Sequence, residues 1–228
     1  MLRMETFSIS ELLEPFVAAP LSEAQLQSIS TYIDLLLRWN ARVNLTSVRQ
    51  PEAIITRHFG ESIFTAEQLF PEADRTQAFA ESPEQSEGTD VHLIDIGSGA
   101  GFPGLPIKIR FPELQVTLIE SIQKKATFLR EVVRSLQLTN VDVFCGRAEG
   151  YAGDCASVVT LRAVERFDEI LPVAASLAAS GGRMALLIGR AQSARAERLA
   201  PNFSWSEPVP IPLSATRILR IATKAEPI

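Results

Sequence analysis

Four glycines crowd one short stretch of the chain, residues 95–104, which reads DIGSGAGFPG and directly follows an apolar run at 91–96. Glycine has no Cβ, so the backbone of such a turn can pass very close to a bound ligand. A glycine-rich turn between a buried strand and a helix is where open α/β sheets bind adenosine-containing cofactors. These residue types at this spacing therefore predict an enzyme that uses a cofactor of that kind.

The glycines fit two different cofactor signatures. The dinucleotide fingerprint G-x-G-x-x-G, which is weak on its own, matches at Gly99, Gly101 and Gly104. An acid-x-G-x-G-x-G frame, which is similar to the first motif of S-adenosylmethionine-dependent methyltransferases, matches at Asp95, Gly97, Gly99 and Gly101. We favour the second frame because Gly97 follows the strand at once, whereas Pro103 and Pro106 would interrupt a helix placed against a pyrophosphate. An NAD-dependent oxidoreductase is the less favoured interpretation.

Three further positions at the ends of predicted strands suit an adenosine cofactor. Glu120 ends the second strand, where a carboxylate accepts hydrogen bonds from both hydroxyls of a ribose, whichever cofactor carries it. Ala148 and Glu149 follow the third strand, and we expect their loop to contact the adenine. Arg162 follows the fourth strand, where a fixed cation binds a substrate phosphate or orients the cofactor. Because the carboxyl ends of parallel strands meet at one edge of a sheet, we expect these residues to lie together.

The order of predicted elements after residue 90 is typical of an α/β fold. Apolar runs at regular intervals predict seven strands, at residues 91–96, 115–120, 141–145, 157–161, 183–188, 209–211 and 217–222. Helices are predicted at 104–110, 122–137 and 168–179, and Gly181 and Gly182 are predicted to turn the chain into the fifth strand. Alternating strands and helices imply a mainly parallel, seven-stranded sheet that is covered on both faces.

Three segments are predicted along the chain, at 1–70, 71–90 and 91–228. The first has helical spacing of its apolar residues, and Ser8 with Glu11 and Ser22 with Gln25 each fit a capping box. The second holds six acids and one base without a clear period, so we expect an acidic linker or loop. The third is the predicted cofactor-binding domain.

Composition bounds the class of protein. The formal net charge is −5, but the acidic linker hides a net charge of +3 over residues 91–228, so the overall charge is a poor guide to nucleic-acid binding. Cys145 and Cys155 have no C-x-x-C spacing and no histidine cluster beside them, so we expect neither a metal site nor a disulfide framework. The first residues lack a signal-peptide pattern, and no run approaches about 20 apolar residues, so we expect a cytoplasmic protein.

Several short motifs occur together in this chain. They are Arg38-Trp39-Asn40, Asn44-Leu45-Thr46-Ser47, Arg57-His58, Glu61-Ser62, the glycine loop at 95–104, Lys124-Lys125, Arg147-Ala148-Glu149 and Arg162-Ala163-Val164. In combination they resemble the bacterial small-subunit ribosomal RNA guanine-N7 methyltransferase family, also called glucose-inhibited division protein B. The resemblance implies a Rossmann-like class I S-adenosylmethionine-dependent methyltransferase with an N-terminal helical extension. The chain departs from the family at Ile188, where lysine is usual, and at Ile218, where histidine usually follows the arginine.

The resemblance also implies a reaction and a set of site residues. The reaction is transfer of a methyl group from S-adenosylmethionine to N7 of a guanine in small-subunit (16S) ribosomal RNA, presented as RNA or as the small ribosomal subunit. The implied cofactor-binding residues are Gly97, Gly99, Phe102, Glu120, Ala148, Glu149 and Arg162. Our candidates for RNA contact are Arg42, Asn44, Arg57 and His58, in a stretch where arginines outnumber acids. We expect a monomer.

The expected chemistry needs few catalytic groups. Guanine N7 carries a lone pair and no proton, so its methylation is a direct displacement that depends on alignment and electrostatics. We therefore name no general base. The segment after the fourth strand lacks the Asn/Asp-Pro-Pro-aromatic motif of exocyclic-amine methyltransferases, which favours a ring nitrogen. Two alternatives stay open: a methyltransferase that acts on a different substrate, and a non-catalytic RNA-binding factor in ribosome assembly.

Overall fold

The computed structural model describes residues 6–71, 91–163 and 166–226; apart from Pro71, the predicted acidic linker lies outside the described residues. Eight strands of the described part form one sheet: β1 His92–Ile96, β2 Gln115–Glu120, β3 Val141–Cys145, β4 Ala156–Arg162, β5 Ala178–Gly189, β6 Phe203–Trp205, β7 Val209–Pro210 and β8 Arg217–Lys224. Their order is β3-β2-β1-β4-β5-β8-β6, with β7 also paired to β8. Strands β1 to β5 pair in parallel, and β8 is antiparallel to its three neighbours. The predicted α/β fold with a mainly parallel sheet is confirmed.

Eight α-helices of the described residues flank or precede this sheet. They are α1 Thr6–Leu13, α2 Glu23–Asn40, α3 Pro51–Ile54, α4 Glu61–Leu69, α5 Gly104–Arg110, α6 Gln123–Ser135, α7 Phe167–Leu177 and α8 Ser193–Leu199. A π-helix at Ile55–Gly60 joins α3 to α4, and short 3-10 turns lie at Glu14–Phe16, Ala148–Gly150 and Arg190–Gln192. The π-helix indicates a candidate functional region, because wide turns of this kind are common at functional sites.

Two details of the predicted sheet are wrong. The short strand β6 was not expected, so the sheet has eight strands, two of them only two or three residues long. Gly181 and Gly182 do not turn the chain: α7 ends at Leu177 and β5 already runs through both glycines. Gly181 has a φ of +70° beside a register shift between β4 and β5, so the glycines form an irregularity inside a strand.

The N-terminal helices α2 and α4 pack against helix α5, and α2 also contacts α6. Helix α2 begins with the predicted capping box at Ser22, whose hydroxyl accepts from the Gln25 amide while the Gln25 side chain accepts from Ser22. The same Gln25 side chain donates to the carbonyls of Ile109 and Arg110 at the end of α5. Ser8, in contrast, lies inside α1, so its predicted capping box is wrong. Helical and sheet residues share one hydrophobic cluster, and the three-segment division remains a prediction.

Candidate functional site

The glycine loop leaves β1 at the carboxyl edge of the sheet and is built around the buried side chain of Asp95. Its carboxylate accepts hydrogen bonds from the Thr160 hydroxyl at 2.8 Å and from the Gly104 amide at 3.3 Å. Burial raises the pKa of Asp95 to about 6, and these hydrogen bonds oppose the rise. Asp95 is fully buried, so its carboxylate stabilises the loop and is not accessible to a ligand.

The loop has the backbone conformation that only glycine adopts easily. Gly97, Gly99 and Gly101 have φ values of +68°, +58° and +89°. At Gly101 there is also no room for a side chain, because an added Cβ would lie 2.6 Å from a Leu105 methyl carbon and against the Tyr32 hydroxyl. The spacing of the glycines is therefore a requirement of this turn and of its contact with α2.

A cavity of about 380 Å³ opens beside this loop, within the range of roughly 300–1,000 Å³ that small-molecule sites occupy. Its lining includes Ile96, Gly97, Glu120, Ile122, Gly146, Ala148, Glu149, Ala163 and Ile170. Glu120 is 5% exposed and lies at the end of β2, with one carboxylate oxygen 2.9 Å from the Gly99 amide and the other 2.7 Å from the Ile122 amide. The carboxylate is thus held by backbone donors at the carboxyl ends of β1 and β2.

Part of the cavity lining consists of apolar side chains and backbone groups. Ile122 is 48% exposed, which is unusual for a large aliphatic side chain in this protein, and it lines the cavity together with Ile119 and Ile170. Ala148 begins a 3-10 turn after β3 and is buried, whereas the neighbouring Glu149 is exposed. The apolar side chains and backbone groups in this part of the lining suit a purine base, and Lys125, Arg147 and Arg166 also border the cavity.

A stack of three rings lies beside the glycine loop. Phe102 is 7% exposed, and its ring lies between Tyr32 at 5.5 Å and His58 at 4.8 Å, nearly parallel to both. Phe59 meets Phe102 edge-on at 5.1 Å. The Tyr32 hydroxyl donates to the Ala100 carbonyl, so α2 is anchored to the loop by a hydrogen bond as well as by ring packing. The stack joins the N-terminal helices to the loop and places His58 at its outer end.

A buried cluster of charges lies next to the stack, at the end of β4. The two N–H groups of Arg162 Nη2 are shared among three acceptors, which are the Glu61 carboxylate at 3.2 Å, His58 Nδ1 at 3.0 Å and the Arg57 carbonyl. The other Glu61 oxygen pairs with Arg217 from β8. Glu61 is 1% exposed; burial raises its pKa, and the two arginines oppose that rise. One buried carboxylate is therefore the counter-charge for two arginines, one from β4 and one from β8.

His58 is held as a neutral ring in one tautomer. Burial, assisted by the charges of Arg162, Arg57 and Arg217, lowers the pKa of His58 to about 3, and a backbone contact with Arg57 opposes the effect. Its Nδ1 faces a guanidinium, which can only donate, so the ring proton lies on Nε2. Nε2 is 2.8 Å from the Thr46 hydroxyl oxygen and donates to it.

The family of the chain follows from comparison with known proteins. The family model described as "rRNA small subunit methyltransferase G" (GidB) matches residues 25–214. The chain belongs to this family. A protein named ribosomal RNA small subunit methyltransferase G from Chloroflexus aggregans is 39% identical over 220 residues, which cover 91% of this chain and 85% of that protein. One of the same name from Streptococcus pyogenes is 37% identical over 182 residues, covering 78% and 70%.

Solved structures with low sequence identity share the fold of this family member. The fibrillarin pre-rRNA processing protein of Methanococcus jannaschii superposes with a TM-score of 0.52 and 16% identity, over 60% of this chain and 68% of that one. A chain of a fibrillarin/Nop5p complex gives 0.51 and 14% identity, over 59% and 73%. The predicted family, the class I methyltransferase fold, the activity as a ribosomal RNA methyltransferase and S-adenosylmethionine as the methyl donor are confirmed.

The predicted site residues of this methyltransferase fall into three groups. Five of the seven proposed for the cofactor lie at the cavity: Gly97, Glu120, Ala148 and Glu149 line it, and Gly99 is hydrogen-bonded to Glu120. The side chains of Phe102 and Arg162 lie outside its lining, in the ring stack and the charge cluster. Of the RNA candidates, Arg42, Asn44 and Arg57 are exposed, and His58 is half-buried within the stack.

Sequence reasoning assigned no role to three groups that build this site. Glu61 appeared only within a family motif, and its burial between two arginines was not foreseen. Tyr32 was not singled out, and Thr46 was noted only as part of Asn44-Leu45-Thr46-Ser47. The motif does carry a local signal: Asn40 is buried and its side chain bonds the amides of Leu45 and Thr46, which shapes the loop.

Two negative findings concern the described part of this methyltransferase. No helix in residues 6–71, 91–163 or 166–226 has the length and apolar character needed to cross a membrane. Within the same ranges, His, Cys, Asp and Glu side chains nowhere form a group of three or more that could hold a metal ion.

The state of His58 is directly measurable, because the chain contains only two histidines. We expect nitrogen-detected NMR to show His58 neutral, protonated on Nε2, with no titration between pH 8 and 5. The unfolded chain takes up a proton near pH 6.5, and folded His58 does so only near pH 3. Folding stability should therefore be lost as pH falls through this window. A midpoint near pH 6.5, or a proton on Nδ1, would contradict the charge cluster described above.

Proposed function

We propose that this methyltransferase transfers the methyl group to N7 of a guanine in small-subunit (16S) ribosomal RNA. The observation that carries the proposal is that the side chains of His58, Glu61 and Asp95 are already engaged in hydrogen bonds or ion pairs within the protein. Both His58 nitrogens have partners, both Glu61 oxygens bind arginines, and Asp95 is enclosed beneath the loop. An exocyclic amine needs its proton removed during methylation, whereas N7 offers a lone pair without one. The site suits an acceptor atom that requires alignment alone.

Each predicted cofactor residue at the cavity is assigned to one part of S-adenosylmethionine. We assign the ribose hydroxyls to the Glu120 carboxylate and the adenine to the part of the cavity lined by Ala148 and Glu149. The loop at Gly97 and Gly99 borders the methionine portion. When bound, the cofactor supplies an electrophilic methyl group on a positively charged sulfur.

Phe102 and Arg162 are assigned to the boundary between cofactor and substrate. Phe102 follows β1 and Arg162 ends β4, and the ends of these two strands are neighbours in the sheet, with Ile96 opposite Leu161. The Arg162 Nη1 is buried and has no hydrogen-bond partner among the described residues, so an acceptor from a ligand fits there. Burial lowers the pKa of Arg162 to about 10, so the side chain keeps its charge at neutral pH. These residues orient the reacting groups and exclude water.

The N-terminal helical region, residues 1–70, is proposed as the RNA-contacting unit, and 91–228 as the cofactor domain. Arg42, Asn44 and Arg57 are exposed on that region, and the ring stack connects it to the loop beside the cavity. Cations that neutralise phosphates supply most of the affinity for a nucleic acid, whatever its sequence. We propose that the protein acts as a cytoplasmic monomer on RNA or on the small subunit.

Charge reversal on this surface should separate RNA binding from cofactor binding. The double variant Arg42→Glu/Arg57→Glu is expected to lower kcat/KM for RNA methylation by about 10- to 100-fold, because each lost phosphate contact weakens association. The dissociation constant for S-adenosylmethionine, measured by calorimetry, should stay within about threefold of the parent value. Methyl transfer is measured with radiolabelled cofactor on unmethylated small subunits and on naked RNA.

The matched control is Arg198→Glu, which reverses an exposed arginine on α8. It should leave RNA methylation close to that of the parent chain. Equal losses in the control and in the double variant would contradict the assignment of this surface. So would a double variant that methylates RNA normally.

A further inference from the structure

The Thr46 hydroxyl is in an unusual position because two donors point at its oxygen. The Val48 amide donates to it at 3.1 Å, and His58 Nε2 donates to it at 2.8 Å. A hydroxyl oxygen has two lone pairs and one proton. With both lone pairs occupied, Thr46 can act only as a donor in any further hydrogen bond. Among the described residues, the Thr46 hydroxyl oxygen makes no hydrogen bond besides these two.

A chain of fixed donors enforces this direction. Arg162, which cannot accept a hydrogen bond, donates to His58 Nδ1. The ring proton of His58 is therefore on Nε2, from which it is donated to the Thr46 oxygen. The Val48 amide is equally unable to reverse. The Asn40 side chain fixes the loop at Leu45 and Thr46 by accepting hydrogen bonds from both backbone amides. The hydroxyl is therefore a preorganised donor whose sense does not adapt to its partner.

The location of this donor is next to the proposed point of reaction. His58 lies flat on Phe102, a residue of the glycine loop, and Arg162 stands at the end of β4 beside the end of β1. Thr46 is half-buried, and through His58 it is linked to Arg162, which we assign to the boundary between cofactor and substrate. A base that lies at this boundary with N7 toward the methyl group presents its C6 substituent along the same edge.

We propose that the Thr46 hydroxyl recognises guanine by donating a hydrogen bond to O6, with His58 as its positioning residue. This inference rests on the proposed function and deepens it. On the edge of a purine that carries N7, guanine presents the O6 acceptor, whereas adenine presents an amino group that donates. A hydroxyl that can only donate forms a hydrogen bond with the O6 of guanine and is repelled by the amino group of adenine. Adenine N7 has a similar lone pair, so the displacement chemistry alone would not choose between the bases.

The experiment compares substrates and variants in one design. Small-subunit RNA is ligated so that the guanine methylated by the parent protein is replaced by 2-aminopurine, which lacks O6, or by inosine, which keeps O6 and lacks the 2-amino group. The parent chain should methylate the 2-aminopurine RNA with a kcat/KM about 10- to 100-fold below that for guanine. It should prefer inosine over 2-aminopurine. The variants are Thr46→Val, which removes the donor, and Thr46→Ser, which retains it.

The preference ratio between guanine and 2-aminopurine is the deciding quantity. The inference expects Thr46→Val to reduce that ratio to within about threefold of unity and Thr46→Ser to keep it. If Thr46→Val turns over neither RNA, competition binding of the two RNAs gives the same ratio without turnover. A Thr46→Val ratio equal to that of the parent chain would overturn the inference alone. Failure of the parent chain to methylate the guanine RNA would instead overturn the proposed function.

Discussion

The variant Glu120→Gln should bind S-adenosylmethionine about 100-fold more weakly than the parent chain. The Glu120 carboxylate is 5% exposed, and we assign both of its oxygens to the ribose hydroxyls, in addition to the Gly99 and Ile122 amides, because each oxygen has two lone pairs. Hydrogen bonds to a charged group are worth roughly 1.5–3 kcal/mol each. The neutral amide retains one acceptor and weakens both contacts. Titration calorimetry with S-adenosylmethionine measures the change.

Glu113→Gln is the matched control for this prediction. Glu113 is exposed in the turn before β2, so the same chemical change there should leave cofactor affinity unaltered. Thermal unfolding of both variants checks that the glycine loop is still ordered. A dissociation constant for Glu120→Gln within about threefold of the parent value would show that Glu120 does not hold the ribose.

The second large effect is expected at Glu61. Replacing it by glutamine leaves Arg162 and Arg217 facing each other without a counter-charge, and removing one partner of a buried ion pair costs roughly 3–5 kcal/mol. Because Arg162 also positions His58, methyl transfer should fall by more than about 100-fold even in the folded protein. Denaturant unfolding and radiolabelled methyl transfer report the two losses separately.

A second buried pair in the same region separates stability from function. Glu67 and Arg110 are 2.8 Å apart and nearly as buried as the Glu61 cluster, but they lie outside the cavity and the ring stack. Glu67→Gln should destabilise the fold while the folded fraction keeps its normal turnover. If Glu61→Gln transferred methyl groups as well as Glu67→Gln, the charge cluster would be structural only.

Much of the cofactor half of the site was predictable from the sequence, because its signals are local. The glycine loop, the strand before it and the acid at Glu120 lie within a short stretch of chain, and parallel strands bring Ala148 and Arg162 to the same edge. Periodicity placed β1 to β3 and β8 within about two residues of their observed bounds. These features depend on patterns that a single chain displays.

The substrate half was not predictable in the same way, because it is made by contacts between distant segments. Arg162 and Glu61 are about a hundred residues apart, and Arg217 joins them from β8. The π-helix at Ile55–Gly60 shifts His58 to a position that α-helical spacing does not forecast. Nor does any local pattern indicate that both lone pairs of Thr46 are occupied. Packing between the helical region and the sheet decides all of these features.

The central claim is that this chain methylates N7 of one guanine in small-subunit RNA, and mapping the transferred methyl group tests it most directly. Unmethylated small subunits and naked RNA are incubated with the purified protein and radiolabelled S-adenosylmethionine. The RNA is then reduced with borohydride and treated with aniline, which cleaves the strand at N7-methylguanine. We expect label at a single guanine and cleavage at that same position. Absence of label while cofactor binding is intact, or label that resists this cleavage, would contradict the account.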